Sequence, residues 1–226
     1  MILLADGGST KVDWCLIDKG ELVKQVFTKG ANPFFRTRED ISEELKTMLL
    51  PVMNGYKIDS VHFFGAGCAF PDKNEIIRAA IADNIPISEI EVGSDLLAAA
   101  RGLCGHKKGI ACIIGTGSNS CYYDGRDIVE NVSPLGYVLG DEGSGAVLGR
   151  LFVGACLKNQ FTKGLKEKFL EQFQLTPQMI LDKVYKQPLA NRFLASLSPF
   201  LIQNIDDKTI YNLVYAAFRD FFVKNV

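Results

Sequence analysis

Short apolar runs broken by glycine open the chain. Residues 2–5 (Ile-Leu-Leu-Ala) run into Asp6-Gly7-Gly8, and residues 11–17 (Lys-Val-Asp-Trp-Cys-Leu-Ile) are rich in β-formers, which predicts two strands joined by a glycine turn. A second tight turn, Asp18-Lys19-Gly20-Glu21, leads into a third run over 22–27 and completes an antiparallel meander. The period then changes. Ile41, Leu45, Met48 and Leu49 predict a helix over 38–53, with Thr37 and Asp40 placed as a capping box. Residues 60–64 predict a buried strand stopping at Gly65-Ala66-Gly67, 73–83 a helix, 90–92 a short strand, and 96–103 an alanine-rich helix beginning beside Ser94-Asp95.

Gly102 and the run Gly105-His106-Lys107-Lys108-Gly109 interrupt this β-β-β-α-β-α-β-α series. A new apolar strand over 110–114 follows, then Gly115-Thr116-Gly117, a strand over 120–123, the turn Asp124-Gly125-Arg126 and another short strand. The opening meander thus recurs in pattern, though not in detailed sequence, and this places a domain boundary near 106, between domains 1–106 and 107–226. Beyond Gly143 the pattern is nearly all helical, ending over 210–223 with Phe218, Phe221 and Phe222 at core spacing.

Composition narrows the classes. At 47% hydrophobic and 23% charged residues the chain of 226 is of ordinary globular type, large enough for two modest cores. A net charge of -1 supplies no field for nucleic acid or a membrane surface and points to a small ligand. The six cysteines form no Cys-x-x-Cys and no pairing with histidine, which argues against zinc or iron–sulfur ligation and for core cysteines in a reducing compartment. The N-terminus meets Asp6 too early for a signal peptide, and no apolar run reaches the ~20 residues that span a bilayer, so a cytoplasmic protein is expected. His62 and His106 are expected as a core and a surface residue without catalytic partners, and Trp14 as core.

The glycine loops carry the candidate chemistry. Turns built from Gly7, Gly8, Ser9 and Thr10, or from Gly115, Thr116, Gly117 and Ser118, let backbone N–H groups converge on an anion and add hydroxyl donors. Either loop alone is more simply a plain hairpin; two copies in corresponding places favour a phosphate clamp. No Gly-x-x-x-x-Gly-Lys-[Ser/Thr] loop is present, and the Gly115-x-Gly117 stretch lacks the third glycine of a dinucleotide fingerprint and opens onto a strand. Asp6 can hold Mg²⁺ through water or serve as a turn residue. Asp95 is by helix chemistry an N-cap, although a catalytic base at a helix start has the same pattern. Asp141 and Glu142, flanked by glycines, are either first-turn carboxylates of a helix or ligand contacts.

Taken together these motifs resemble the N-acetylglucosamine kinase and BadF/BadG-type ATPase branch of the actin, hexokinase and Hsp70 superfamily. The resemblance runs in order through Asp6-Gly7-Gly8-Ser9-Thr10-Lys11, Gly30-Ala31-Asn32-Pro33, Gly65-Ala66-Gly67, Ser94-Asp95, Ile114-Gly115-Thr116-Gly117-Ser118-Asn119 and Gly136-Tyr137-Val138-Leu139-Gly140-Asp141-Glu142-Gly143-Ser144. It implies an α/β fold of two ribonuclease-H-like domains with mixed five-stranded sheets, a cleft between them, and a helical insertion in the second. It also implies ATP and Mg²⁺, with phosphoryl transfer to the hydroxyl of an amino sugar such as N-acetylglucosamine. Carried over by position, Gly7, Gly8, Ser9, Thr10, Lys11, Gly115, Thr116 and Gly117 would hold phosphates, with Asp6 near the metal. Asn32, Asp95, Ser118, Asn119, Gly136, Tyr137, Val138 and Asp141 would line the sugar site, with Asp95 as the base. A later glycine-rich segment that holds adenosine in the family has no counterpart after residue 150, so a C-terminal stretch is expected to be missing from these residues. The same branch contains ATPase activators of dehydratases, which share a cysteine-ligated cluster between subunits, and the fold also serves nucleotide-dependent sensors. The dispersed cysteines disfavour the activator. A homodimer is admitted by the sequence, not required by it.

Overall fold

The computed structural model describes residues 1–8 and 10–226, which form two compact units, Met1–Gly102 and Leu103–Val226. The first is built on a five-stranded mixed sheet. Strands β1 (Ile2–Gly7), β2 (Lys11–Asp18) and β3 (Glu21–Lys29) form the antiparallel meander, while β4 (Ser60–Gly65) and β5 (Ile90–Ser94) run parallel to β1, giving the order β3-β2-β1-β4-β5. Period-2 alternation decides the faces: Leu3, Ala5, Val12, Trp14, Leu16, Val61 and Phe63 point into one core with Ile41, Leu45, Leu49, Ile77 and Ile81 of the helices. Trp14 donates from Nε1 to Thr28 Oγ1 at 3.0 Å, so its one polar atom is satisfied inside that core.

The helix expected over 38–53 is interrupted. It divides into α1 (Arg38–Glu44), a π-helical turn (Leu45–Leu49) and α2 (Leu50–Met53). Pro51 lacks the N–H that an unbroken α-helix would direct at the Thr47 carbonyl, and the wider turn just before it accommodates that loss. The Thr37–Asp40 capping box forms as expected. Helix α3 (Pro71–Ala82) then shields the free edge of β5: Asn74 Nδ2 donates to the Val92 carbonyl at 3.4 Å, and Arg78 Nη1 to the Ile90 carbonyl. Helix α4 (Asp95–Cys104) lies on the opposite sheet face, where Arg101 stacks on Phe64.

The second unit contains a three-stranded antiparallel sheet, β6 (Gly109–Ile114), β7 (Ser118–Tyr123) and β8 (Ile128–Val132), the three strands that the pattern after Gly109 predicts. After it come a one-turn helix α5 (Gly136–Leu139) and six further helices: α6 (Gly145–Leu157), α7 (Leu165–Gln172), α8 (Pro177–Tyr185), α9 (Ala190–Ala195), α10 (Ser198–Gln203) and α11 (Lys208–Asn225). Their core centres on Phe152, Phe169 and Phe200, with ring centroids 4.8 to 5.4 Å apart. Of the C-terminal aromatics, Phe221 is buried but Phe222 is exposed, because consecutive residues on a helix face directions about 100° apart. Among the described residues, no helix is long and apolar enough to cross a membrane.

Candidate active site

In the first unit the predicted residues gather at the carboxyl edge of β1, β4 and β5. Asp6 and Gly7 end β1 beside Phe64 and Gly65 of β4, and the Ala66 N–H donates to the Gly7 carbonyl at 2.8 Å. A Cβ on Gly7 would overlap the Phe63 ring, and one on Gly65 would lie 2.9 Å from the Gly7 carbonyl oxygen. Both glycines are therefore demanded by the packing under the loop, independently of any phosphate. Gly8 closes the hairpin through its N–H to the Lys11 carbonyl at 2.9 Å; Thr10 is exposed, and Ser9 lies outside the described residues. The Lys11 ammonium sits 4.5 Å above the Phe27 ring.

Asn32 is buried, its Oδ1 accepting from the Phe34 N–H at 2.9 Å, and that oxygen occupies the space a Cβ on Gly67 would need, 2.6 Å away. Gly67 also adopts φ +86, so the turn after β4 requires glycine twice over. Asp95 is not the N-cap that helix chemistry suggested. The Leu97 N–H donates to Ser94 Oγ at 3.1 Å, while Asp95 Oδ1 accepts from the adjacent Leu96 N–H at 2.9 Å. Burial pushes the Asp95 carboxyl above its ordinary pKa, and the charge of Asp6 adds to the rise against the pull of backbone N–H groups. Cys68 belongs to the same cluster: burial and the Asp95 charge raise its thiol to about 12, which keeps it protonated.

The second unit builds a separate cluster. The Gly115 and Thr116 carbonyls accept from Gly145 and Ala146 at 2.8 and 3.1 Å, so the loop, not a ligand, occupies the first N–H groups of α6. The Thr116 and Gly117 N–H groups have no backbone partner among the described residues, and Thr116 is exposed. Gly117 lies against the Asp141 carboxylate, where a Cβ would stand 2.9 Å from Oδ2. Asp141 has φ +52 and precedes the helix; Ser144 caps α6 through its hydroxyl, so Asp141 and Glu142 are not its first turn. Burial raises the Asp141 pKa and neighbouring Glu142 adds to it, opposed by the Ser118 N–H.

Other predicted contacts are partly committed elsewhere. The Ser118 hydroxyl donates to the Glu142 carbonyl at 2.7 Å, and Asn119 Oδ1 accepts from Ser120 N–H and Asn131 Nδ2 at 2.9 and 2.8 Å. Tyr137 packs on the helical core, whereas Gly136 and Val138 are exposed. Glu142 is held by Asn225 and Lys224 from the end of the chain, a link that sequence spacing cannot signal. His62 also departs from expectation: it is half-buried, with Nδ1 2.8 Å from Glu91 Oε2. His106 is exposed as expected.

No protein-family model matches the chain. A solved structure from Porphyromonas gingivalis, provisionally assigned as an N-acetylglucosamine kinase, is 50% identical over the whole of this chain and 81% of its own, with a TM-score of 0.96. A second, from Chromobacterium violaceum and of the same provisional assignment, is 16% identical, covers 99% of this chain and 81% of its own at a TM-score of 0.75, and shows the fold alone. The N-acetylmuramic acid/N-acetylglucosamine kinase of Clostridium acetobutylicum is 26% identical over 207 residues, 85% of this chain and 67% of its own length.

Proposed function

We propose that the chain, which belongs to the family of the N-acetylglucosamine kinase-like protein of Porphyromonas gingivalis, is a sugar kinase that transfers the γ-phosphoryl group of ATP to a hydroxyl of an amino sugar, N-acetylglucosamine or a relative, with Asp95 as the base. The supporting observation is Asp95 itself: a carboxylate released from capping by Ser94, desolvated at a strand edge and raised in basicity beside Asp6. Phosphoryl transfer asks mainly for positioning and charge neutralisation, and one carboxylate that takes the proton of the attacking hydroxyl completes the set. Asn32 is held rigidly in the same cluster, where it can orient the sugar. Asp141 carries a second such carboxylate in the other unit.

The residues suit the groups that the reaction needs. Thr116 and Gly117 present backbone N–H groups with no partner among the described residues, as a phosphate cradle requires. Asp6 is an exposed carboxylate at the end of β1, which suits Mg²⁺, an ion that keeps most of its waters and takes its other ligands from phosphates. When bound, Mg-ATP supplies the transferable group and neutralises its charge. Six free cysteines suit a reducing compartment, which supports a cytoplasmic location.

A coupled ADP-release assay over glucose, glucosamine, N-acetylglucosamine and N-acetylmuramic acid tests the proposal. Sugar-dependent turnover is expected with the N-acylated sugars, and its absence with all four would sink it. Asp95→Asn should lower kcat by roughly 10²–10⁴ while ATP binding, measured by calorimetry, is retained.

A further inference from the structure

The face of the first sheet that carries α4 is held by few apolar contacts, since only Leu96 and Ala100 of that helix are buried. A chain of polar contacts supplements them. Arg101, in the last turn of α4, donates from Nη1 to Glu91 Oε1 of β5 at 2.7 Å. Glu91 Oε2 lies 2.8 Å from Nδ1 of His62 on β4, and His62 Nε2 lies 3.2 Å from Ser60 Oγ. The Arg101 guanidinium also stands 5.5 Å above the ring of Phe64, the β4 residue that pairs with Asp6 of β1. Phe64 and Leu97 close over Gly93, where a Cβ would meet them at 3.1 and 3.3 Å.

We propose that Arg101 and Glu91 are positioning residues for Asp95, fixing the height and rotation of α4 on the sheet so that the carboxylate at its start stays at the strand edge beside Asp6 and Cys68. The proposal rests on the reading of Asp95 as the base. Its force is geometric. A guanidinium bound to a carboxylate on one strand and stacked on a ring of the next fits one placement of the helix; sliding α4 by a residue shifts it 1.5 Å and turns it about 100°, which breaks both contacts. His62 occupies the second oxygen of Glu91 and so limits how that carboxylate can turn. The ion pair is half-exposed, so little stability is expected from it. Misplacing a reacting group by about 1 Å is costly to rate.

The test is a double-mutant cycle with amide hydrogen exchange. Arg101→Met, and separately the isosteric Glu91→Gln, should lower kcat about tenfold to a hundredfold with KM for ATP and sugar unchanged within about twofold, and Arg101→Lys should recover part of the loss. In the Asp95→Asn background Arg101→Met should have no further effect on the residual rate, because a residue acting through Asp95 has nothing left to act on. Exchange at the Leu96 and Leu97 amides should quicken in Arg101→Met while α3 is unchanged. Equal rate losses with and without Asp95, or exchange at Leu96 and Leu97 as slow as in the unmodified protein, would overturn the proposal. If the unmodified protein turns over no sugar, the kinase reading fails by itself, and the exchange result alone decides whether Arg101 anchors the start of α4.

Discussion

Ionising Asp95 in the folded chain opposes folding, because burial and the Asp6 charge disfavour its carboxylate there. Between its ordinary pKa and the raised one the native state binds more protons than the unfolded state, so stability falls as pH rises through that window and is fully present below it. Asp95→Asn should consequently raise the melting temperature at pH 7 relative to the unmodified protein, and the gap should close in acid; calorimetry at several pH values checks this. Activity should show the opposite dependence on the same group, declining as pH falls and the base is protonated. Gly7 makes a different kind of residue-scale prediction. Gly7→Ala drives a methyl into Phe63, with an expected loss of about 1–3 kcal/mol in urea unfolding, whether or not nucleotide is present.

At the scale of elements, β5 is an edge strand whose outward carbonyls, Ile90 and Val92, are occupied by Arg78 and Asn74 of α3. Unoccupied edges template pairing with other chains. Asn74→Ala with Arg78→Ala should leave the fold intact but increase concentration-dependent association, measured by light scattering. Helix starts are legible where capping is local: the three-residue spacing of Thr37 and Asp40 predicts a capping box, and the box forms. Ser94 and Asp95 show the limit of that reasoning. Two adjacent residues could each cap α4, and which one does so depends on how β5 delivers the chain to the helix.

At the scale of the molecule, the first unit buries a core drawn wholly from its own residues, Leu3 to Val92. A fragment of residues 1–104, which retains all of α4, should fold by itself and unfold cooperatively in urea, as followed by circular dichroism; a sloping, non-cooperative loss of signal would refute this. Meander, crossover strands and glycine loops were legible because period-2 and period-3.6 patterns and turn chemistry act over a few residues. The π-helical turn was not, since the spacing of Ile41, Leu45 and Leu49 suits an α-helix and only the placement of Pro51 against it opens the turn.

The succession of strands and helices along the chain, the loops that end the strands, and the carboxylates Asp6, Asp95 and Asp141 were therefore matters of local sequence, while the pairing of β1 with β4 was not. What those residues do was decided by contacts between positions far apart in the chain. Phe63 requires the glycine at position 7, Glu142 takes the Ser118 hydroxyl, and Lys224 and Asn225 hold Glu142. His62, expected to be an inert core residue, gains Glu91 and through it Arg101. A hydrogen bond or a packing contact is a property of two partners, and only folding brings the second partner to the first.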